Sequence, residues 1–113
     1  MLNWTEYRKQ LMTRISEFGK LSPDTVVGYQ ALSAAGKKTG QLDAKTRELI
    51  AIAVAVTTRC DGCISVHAAE AVKQGATREE IGEALGVAVA MNAGAAMVYS
   101  ARALDATASL VAS

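Results

Sequence analysis

The chain has 113 residues, with 12 basic and 11 acidic side chains for a net charge of +1, 50% hydrophobic residues and only 4% aromatic ones. That length supports one domain, spanning 1–113, and the balanced charge, with no basic run and no arginines interleaved with aromatic residues, excludes a nucleic-acid surface. At a mean hydropathy of +0.17, the aliphatic surface exceeds what so small an interior can hide, so part of it is expected to face another copy of the chain.

The opening Met1-Leu2-Asn3-Trp4-Thr5-Glu6-Tyr7 has neither the charged start nor the apolar stretch of a signal peptide, which predicts a cytoplasmic protein. In that compartment a close cysteine pair is more often catalytic or metal-binding than structural.

The punctuation predicts an all-α chain of about six helices. Asn3 or Thr5 caps a first helix that runs to Phe18 and ends at Gly19. Ser22-Pro23 starts a second, with serine as cap and proline in the first turn, and it dissolves between Gly36 and Gly40. Asp43 caps a third, from Ala44 to about Thr57. Its run Leu49-Ile50-Ala51-Ile52-Ala53-Val54-Ala55-Val56 is apolar all round, which predicts burial on most sides. The cysteine segment opens a fourth helix, stopped by Gly75. Thr77-Arg78-Glu79-Glu80 is a capping box for a fifth, expected to loosen at Asn92-Ala93-Gly94 before a sixth from Ala95 to Leu110. No period-2 alternation bounded by turn residues occurs, so no strand is expected. Ala84 to Ala101 carries no charge and is barely long enough to span a bilayer, but its alanine, glycine and Asn92 predict a buried or interface helix instead.

The chemistry concentrates in Arg59-Cys60-Asp61-Gly62-Cys63-Ile64-Ser65-Val66-His67, which holds both cysteines and the single histidine. Residues three and four apart share a helix face, so Cys60, Cys63 and His67 form one stripe. The break near Arg59 is short, which predicts an antiparallel hairpin of the third and fourth helices. At about 1.5 Å rise per residue, Glu48 then falls near the level of His67, close enough to hydrogen-bond it directly or through water. Carboxylate, imidazole and thiol in series suit a thiolate nucleophile, and a second thiol can attack a sulfenic acid or mixed disulfide on the first. Cys63, nearest the imidazole, is the expected base-activated thiol. Cys60, at the helix start, is the expected contact for an external reductant, although the helix dipole favours the reverse split.

Glu48, the Cys60–Cys63 pair and His67, together with Leu42-Asp43-Ala44-Lys45-Thr46-Arg47-Glu48-Leu49-Ile50 and Gly75-Ala76-Thr77-Arg78-Glu79-Glu80-Ile81, resemble the AhpD-like alkylhydroperoxidase branch of the carboxymuconolactone decarboxylase family. The resemblance implies an all-helical domain around a helical hairpin, assembled as a trimer or hexamer. It implies a peroxidase that reduces a small peroxide with Cys60 and Cys63, relays protons through Glu48 and His67, is recharged by a dithiol or thioredoxin-like reductant, and needs no cofactor or metal. In AhpD itself a histidine precedes the second cysteine, and here that position is Gly62.

Two other readings fit the same residues. A lactone decarboxylase or isomerase would use His67 and Glu48 for proton transfer and leave the thiols idle. A non-catalytic metal-binding or redox-sensing protein would hold zinc with Cys60, Cys63, His67 and Glu48, although C-x2-C-x3-H on one helix is awkward for tetrahedral ligation. Tyr99, Arg102 and Met97 are candidates to line a pocket, with core packing or solvation the simpler expectation. Glu70 and Lys73 are expected on a solvated face.

Overall fold

A computed structural model describes residues 1–110. They form five helices: α1 (Trp4–Leu21), α2 (Pro23–Thr39), α3 (Ala44–Thr57), α4 (Asp61–Lys73) and α5 (Arg78–Ala108). Helices α3 and α4 make the antiparallel hairpin, α5 packs along α3, and α1 lies against α4 and carries α2.

Most helix starts follow from local chemistry. The side chains of Asn3 and Asp43 accept from the backbone N–H of Glu6 and Thr46, satisfying donors that a helix start leaves orphaned. Thr77 and Glu80 form the full reciprocal capping box. Ser22 departs from expectation. Its hydroxyl pairs with Thr25 Oγ1 at 2.7 Å and caps no backbone group, so proline alone sets that start. Gly19 does not end α1, which continues to Leu21, because Val26 of α2 packs close against it and both turns are held.

The expected sixth helix does not exist as a separate element. Helix α5 runs unbroken through Asn92-Ala93-Gly94. Asn92 would be the breaker, but its amide donates to Ala88 O within the helix at 2.7 Å and to Thr57 Oγ1 of α3 at 3.0 Å. With that side chain satisfied, the alanines around it keep the helix going.

A second clasp ties the other ends of α3 and α5, where Lys45 Nζ meets Glu80 Oε2 at 2.8 Å. The hydrogen bond from Lys45 and then that from the Thr77 N–H hold the Glu80 carboxyl below the usual glutamate range. A depressed carboxyl stabilises the fold above the pKa of the unfolded chain, and that contribution is lost as pH falls through the lower folded value.

The interior is small. Among the described residues the buried apolar side chains are Ile52, Ala55, Ala71 and Ala88, where α3, α4 and α5 meet. Within one chain α3 falls short of its expected burial, and of the two alternatives expected for α5, buried or interface, burial inside the chain is not the one seen. Helix α3 leaves Ile50 and Val54 exposed, and α5 buries only Ala88. The shape agrees, with a radius of gyration of 18.8 Å where about 13 Å suits a compact chain of this length. The accessible surface is 8767 Å², roughly 2,900 Å² more than a compact monomer of this mass exposes.

The turn between α3 and α4 sets up the site. The N–H of Arg59 donates to Val56 O at 3.3 Å and that of Cys60 to Ala55 O at 3.1 Å, which closes α3 with Arg59 in the left-handed region at φ 54°. Holding a side chain there costs about 1 kcal/mol relative to glycine.

Candidate active site

Cys60 enters α4 as its N-cap, and the Cys63 N–H donates to Cys60 Sγ at 3.2 Å. The two sulfurs are joined as a disulfide, with Cα atoms 5.3 Å apart. One turn on, His67 Nδ1 lies 2.7 Å from Glu48 Oε2, a bond across the hairpin between residues 19 apart in sequence. The His67 and Glu48 side chains are 30% and 15% exposed, so water screens this pair only in part.

The bond fixes roles on the imidazole. Glu48 as carboxylate can only accept, so Nδ1 carries the proton and Nε2 is left as the free base of the neutral ring. The carboxylate orients the ring and stabilises it once protonated. Neither Lys45 nor Arg47 competes for Glu48. Lys45 is committed to Glu80, and the Arg47 guanidinium donates to the Leu42 carbonyl. All four candidate residues sit on the hairpin, Glu48 on α3, Cys60 at the N-cap of α4, and Cys63 and His67 one turn apart within α4.

The remaining candidates lie elsewhere. Met97, Tyr99 and Arg102 are exposed on α5, with the guanidinium 5.1 Å over the Tyr99 ring. Met97 and Tyr99 line a shallow groove of about 520 Å³ on that helix, away from the hairpin. Glu70 bonds Gln74 at 3.0 Å, and that bond first, with Lys73, Lys37 and His67 adding smaller effects, holds its carboxyl low. Among the described residues no group of three His, Cys, Asp or Glu side chains is arranged to hold a metal ion.

Sequence reasoning missed the cover that α1 provides. Arg8 Nη1 donates to Ser65 O at 3.3 Å, and Ser65 is buried with its hydroxyl on Gly62 O at 2.9 Å. Leu11, one turn beyond Arg8, presses on the backbone between the cysteines. A Cβ at Gly62 would meet Leu11 Cδ2 at 2.9 Å, so the tip of that leucine must shift to admit one. The available signal was the helical spacing of Trp4, Arg8 and Leu11, but nothing in it names the partner helix.

This contact gives a physical reason for Gly62. Gly62→His is expected to destabilise the protein by up to about 1 kcal/mol, the cost of swinging the Leu11 side chain aside. Adding Leu11→Ala should return part of that loss, and the comparison of melting temperatures for wild type, single and double variants checks it. Additive losses would show that Leu11 does not set the constraint.

The sequence profile of the carboxymuconolactone decarboxylase family matches residues 23–106, most of the chain. An uncharacterised protein of Haemophilus influenzae is 55% identical over 104 residues, covering 92% of each chain. A second uncharacterised protein, from Cupriavidus necator, is 34% identical over 83% of this chain and 89% of its own length. Among solved structures, a carboxymuconolactone decarboxylase family protein from Legionella pneumophila in its apo form superposes with TM-score 0.74 at 44% identity, over 91% of this chain and 92% of that one. A protein from Methanobacterium thermoautotrophicum superposes with TM-score 0.70 at 33% identity, over 75% of this chain and 96% of that one. With its profile matched from α2 to α5 and its helical hairpin in place, the chain belongs to the carboxymuconolactone decarboxylase family.

Proposed function

We propose that the protein is a thiol-dependent peroxidase of the AhpD-like type, cycling Cys60 and Cys63 between dithiol and disulfide with Glu48 and His67 as proton relay. The observation that carries this reading is the coexistence on one hairpin of a closed Cys60–Cys63 disulfide and a His67–Glu48 pair. A lactone decarboxylase would need the relay but not the sulfur bond.

The steps balance as follows. Nε2 of neutral His67 takes the Cys63 thiol proton, and the thiolate attacks the terminal oxygen of a hydroperoxide. The O–O bond breaks, the alkoxide takes the proton back from His67 and leaves as alcohol, and Cys63 is oxidised to sulfenic acid. The Cys60 sulfur, losing its proton, attacks Cys63, water leaves, and the disulfide forms. An external dithiol then reduces it by two exchange steps and is itself oxidised. The N–H of Cys63 favours an anionic Cys60 sulfur in the resolving and exchange steps.

Thiol counting tests the reading. Reduced protein should titrate with two thiols, and one equivalent of peroxide should remove both without loss of the fold. Steady turnover should then require a dithiol. Thiols that survive peroxide, alongside undiminished turnover of a lactone by the double Cys60→Ser, Cys63→Ser variant, would transfer the assignment to the decarboxylase class.

The active form is a homo-oligomer, a trimer or hexamer, in this proposal. The surplus surface matches what obligate interfaces bury, and the exposed apolar residues supply it, among them Val27 and Leu32 of α2 and Met91, Met97 and Leu104 of α5. Helix α5 is long and apolar enough to cross a membrane by length and composition. The small alanine and glycine side chains along it equally suit close packing of copies. Sedimentation without detergent is expected to give three or six times 11.8 kDa. A monomer that sediments only with lipid vesicles would assign the helix to a bilayer.

A further inference from the structure

We infer that Arg59 is a positioning residue for the redox pair, its guanidinium favouring the anionic form of the Cys60 sulfur once the disulfide opens. The inference rests on the proposal that this pair cycles.

The chain uses the left-handed backbone at three described positions: Gly40 at φ 71°, Gly75 at φ 87° and Arg59 at φ 54°. Helices α3 and α4 close with the same hydrogen-bond pattern. After α4, Gly75 N–H donates to Val72 O and Ala76 N–H to Ala71 O. After α3, Arg59 and Cys60 make the equivalent pair to Val56 and Ala55. Glycine serves the turn after α4, so the turn itself does not call for a side chain. Arginine stands only at the copy of the turn that abuts the cysteines, where the Cβ is a net loss to stability.

The fold makes no use of that guanidinium. Arg59 is exposed, and its side chain enters no ion pair or hydrogen bond among the described residues. Its Cα is one peptide, about 3.8 Å, from that of Cys60. The other charges around the sulfur do not replace it. Asp61, next on α4, is anionic and disfavours a thiolate. His67 is tied to the Glu48 carboxylate contributed by α3. Arg8, from α1, is held on the Ser65 carbonyl. Helix α5 carries no charged residue between Ala84 and Ala101. Arg59 is thus the cation next in chain to Cys60, and it offsets Asp61 on the other side.

The test uses the full chain with Cys63→Ser, so that Cys60 is the one titrating thiol. Thiolate ultraviolet absorbance against pH and the rate of alkylation at neutral pH are compared for Arg59, Arg59→Lys, Arg59→Gln and Arg59→Gly. Gln and Gly are expected to raise the titration midpoint by roughly 0.5–1 unit and to slow alkylation about three- to tenfold, while Lys retains both. Gly should at the same time melt higher than Arg, which separates charge from folding. Gln titrating with Arg, or Lys shifting as far as Gly, overturns the inference and leaves the redox proposal standing. If Cys60 with Arg59 intact titrates no lower than a free cysteine, the inference falls, while the redox proposal, which activates Cys63 through His67, is judged separately by thiol counting with peroxide.

Discussion

Cys63→Ser is expected to lower peroxide consumption on the order of 10³-fold or more, whereas Cys60→Ser stops steady turnover but still permits a single turnover that leaves a sulfenic acid on Cys63. The asymmetry follows from position. Cys63 lies one turn before His67 on α4, and in the proposed cycle it gives its proton to Nε2. Cys60 is the N-cap, one turn before Cys63, and in the proposed cycle it closes the disulfide and opens it again. Mass spectrometry with a sulfenic-acid trap on each reduced single variant, after one equivalent of peroxide, reads the difference directly. A trapped adduct on Cys60 in the Cys63→Ser protein, with none on Cys63 in the converse variant, reverses the two roles. Undiminished turnover by both variants removes the pair from the reaction.

Glu48→Gln is the second large effect, an expected loss of about 10²-fold in the rate of disulfide formation by peroxide. Glutamine keeps the shape and an oxygen that can still accept from His67 Nδ1. It lacks the charge that stabilises the imidazolium formed when Cys63 gives up its proton. The amide can also turn its NH2 toward the ring and select the wrong tautomer, with Nε2 protonated and no longer a base. The melting temperature should change little, because the glutamine is isosteric and its oxygen can keep the hydrogen bond from His67 Nδ1. Rapid-mixing kinetics on the reduced variant is the measurement, and a rate within threefold of wild type would remove Glu48 from the relay.

Much of this architecture was legible because its signals are local. Asn3, Asp43 and the Thr77–Glu80 box each satisfy donors within one turn of their own helix, so the starts of α1, α3 and α5 follow from neighbours in sequence. The Glu48–His67 bond could be anticipated because a short turn fixes which residues face each other across a hairpin. Three features were hidden for one reason, that their partners lie on helices distant in sequence. The unbroken α5 depends on Asn92 finding Thr57 of α3. The Lys45–Glu80 clasp joins the starts of two helices that only the fold aligns. The restriction at Gly62 comes from Leu11 of α1, which precedes the residues matched by the family profile. Hydrophobic pattern also misjudged burial. An all-apolar α3 states that the helix avoids water, not which molecule covers it, and the uncovered faces of Ile50 and Val54 show the difference.

The small interior, one isoleucine and three alanines among the described residues, sets how this protein responds to dilution. Burying so little apolar surface leaves a lone subunit near the balance point between ordered and disordered chain. In the proposed oligomer association provides the missing free energy, so the unfolding midpoint is expected to climb with protein concentration instead of staying constant. Protein assayed at nanomolar levels should lose the proposed activity over time, and adding more of the same chain should restore it.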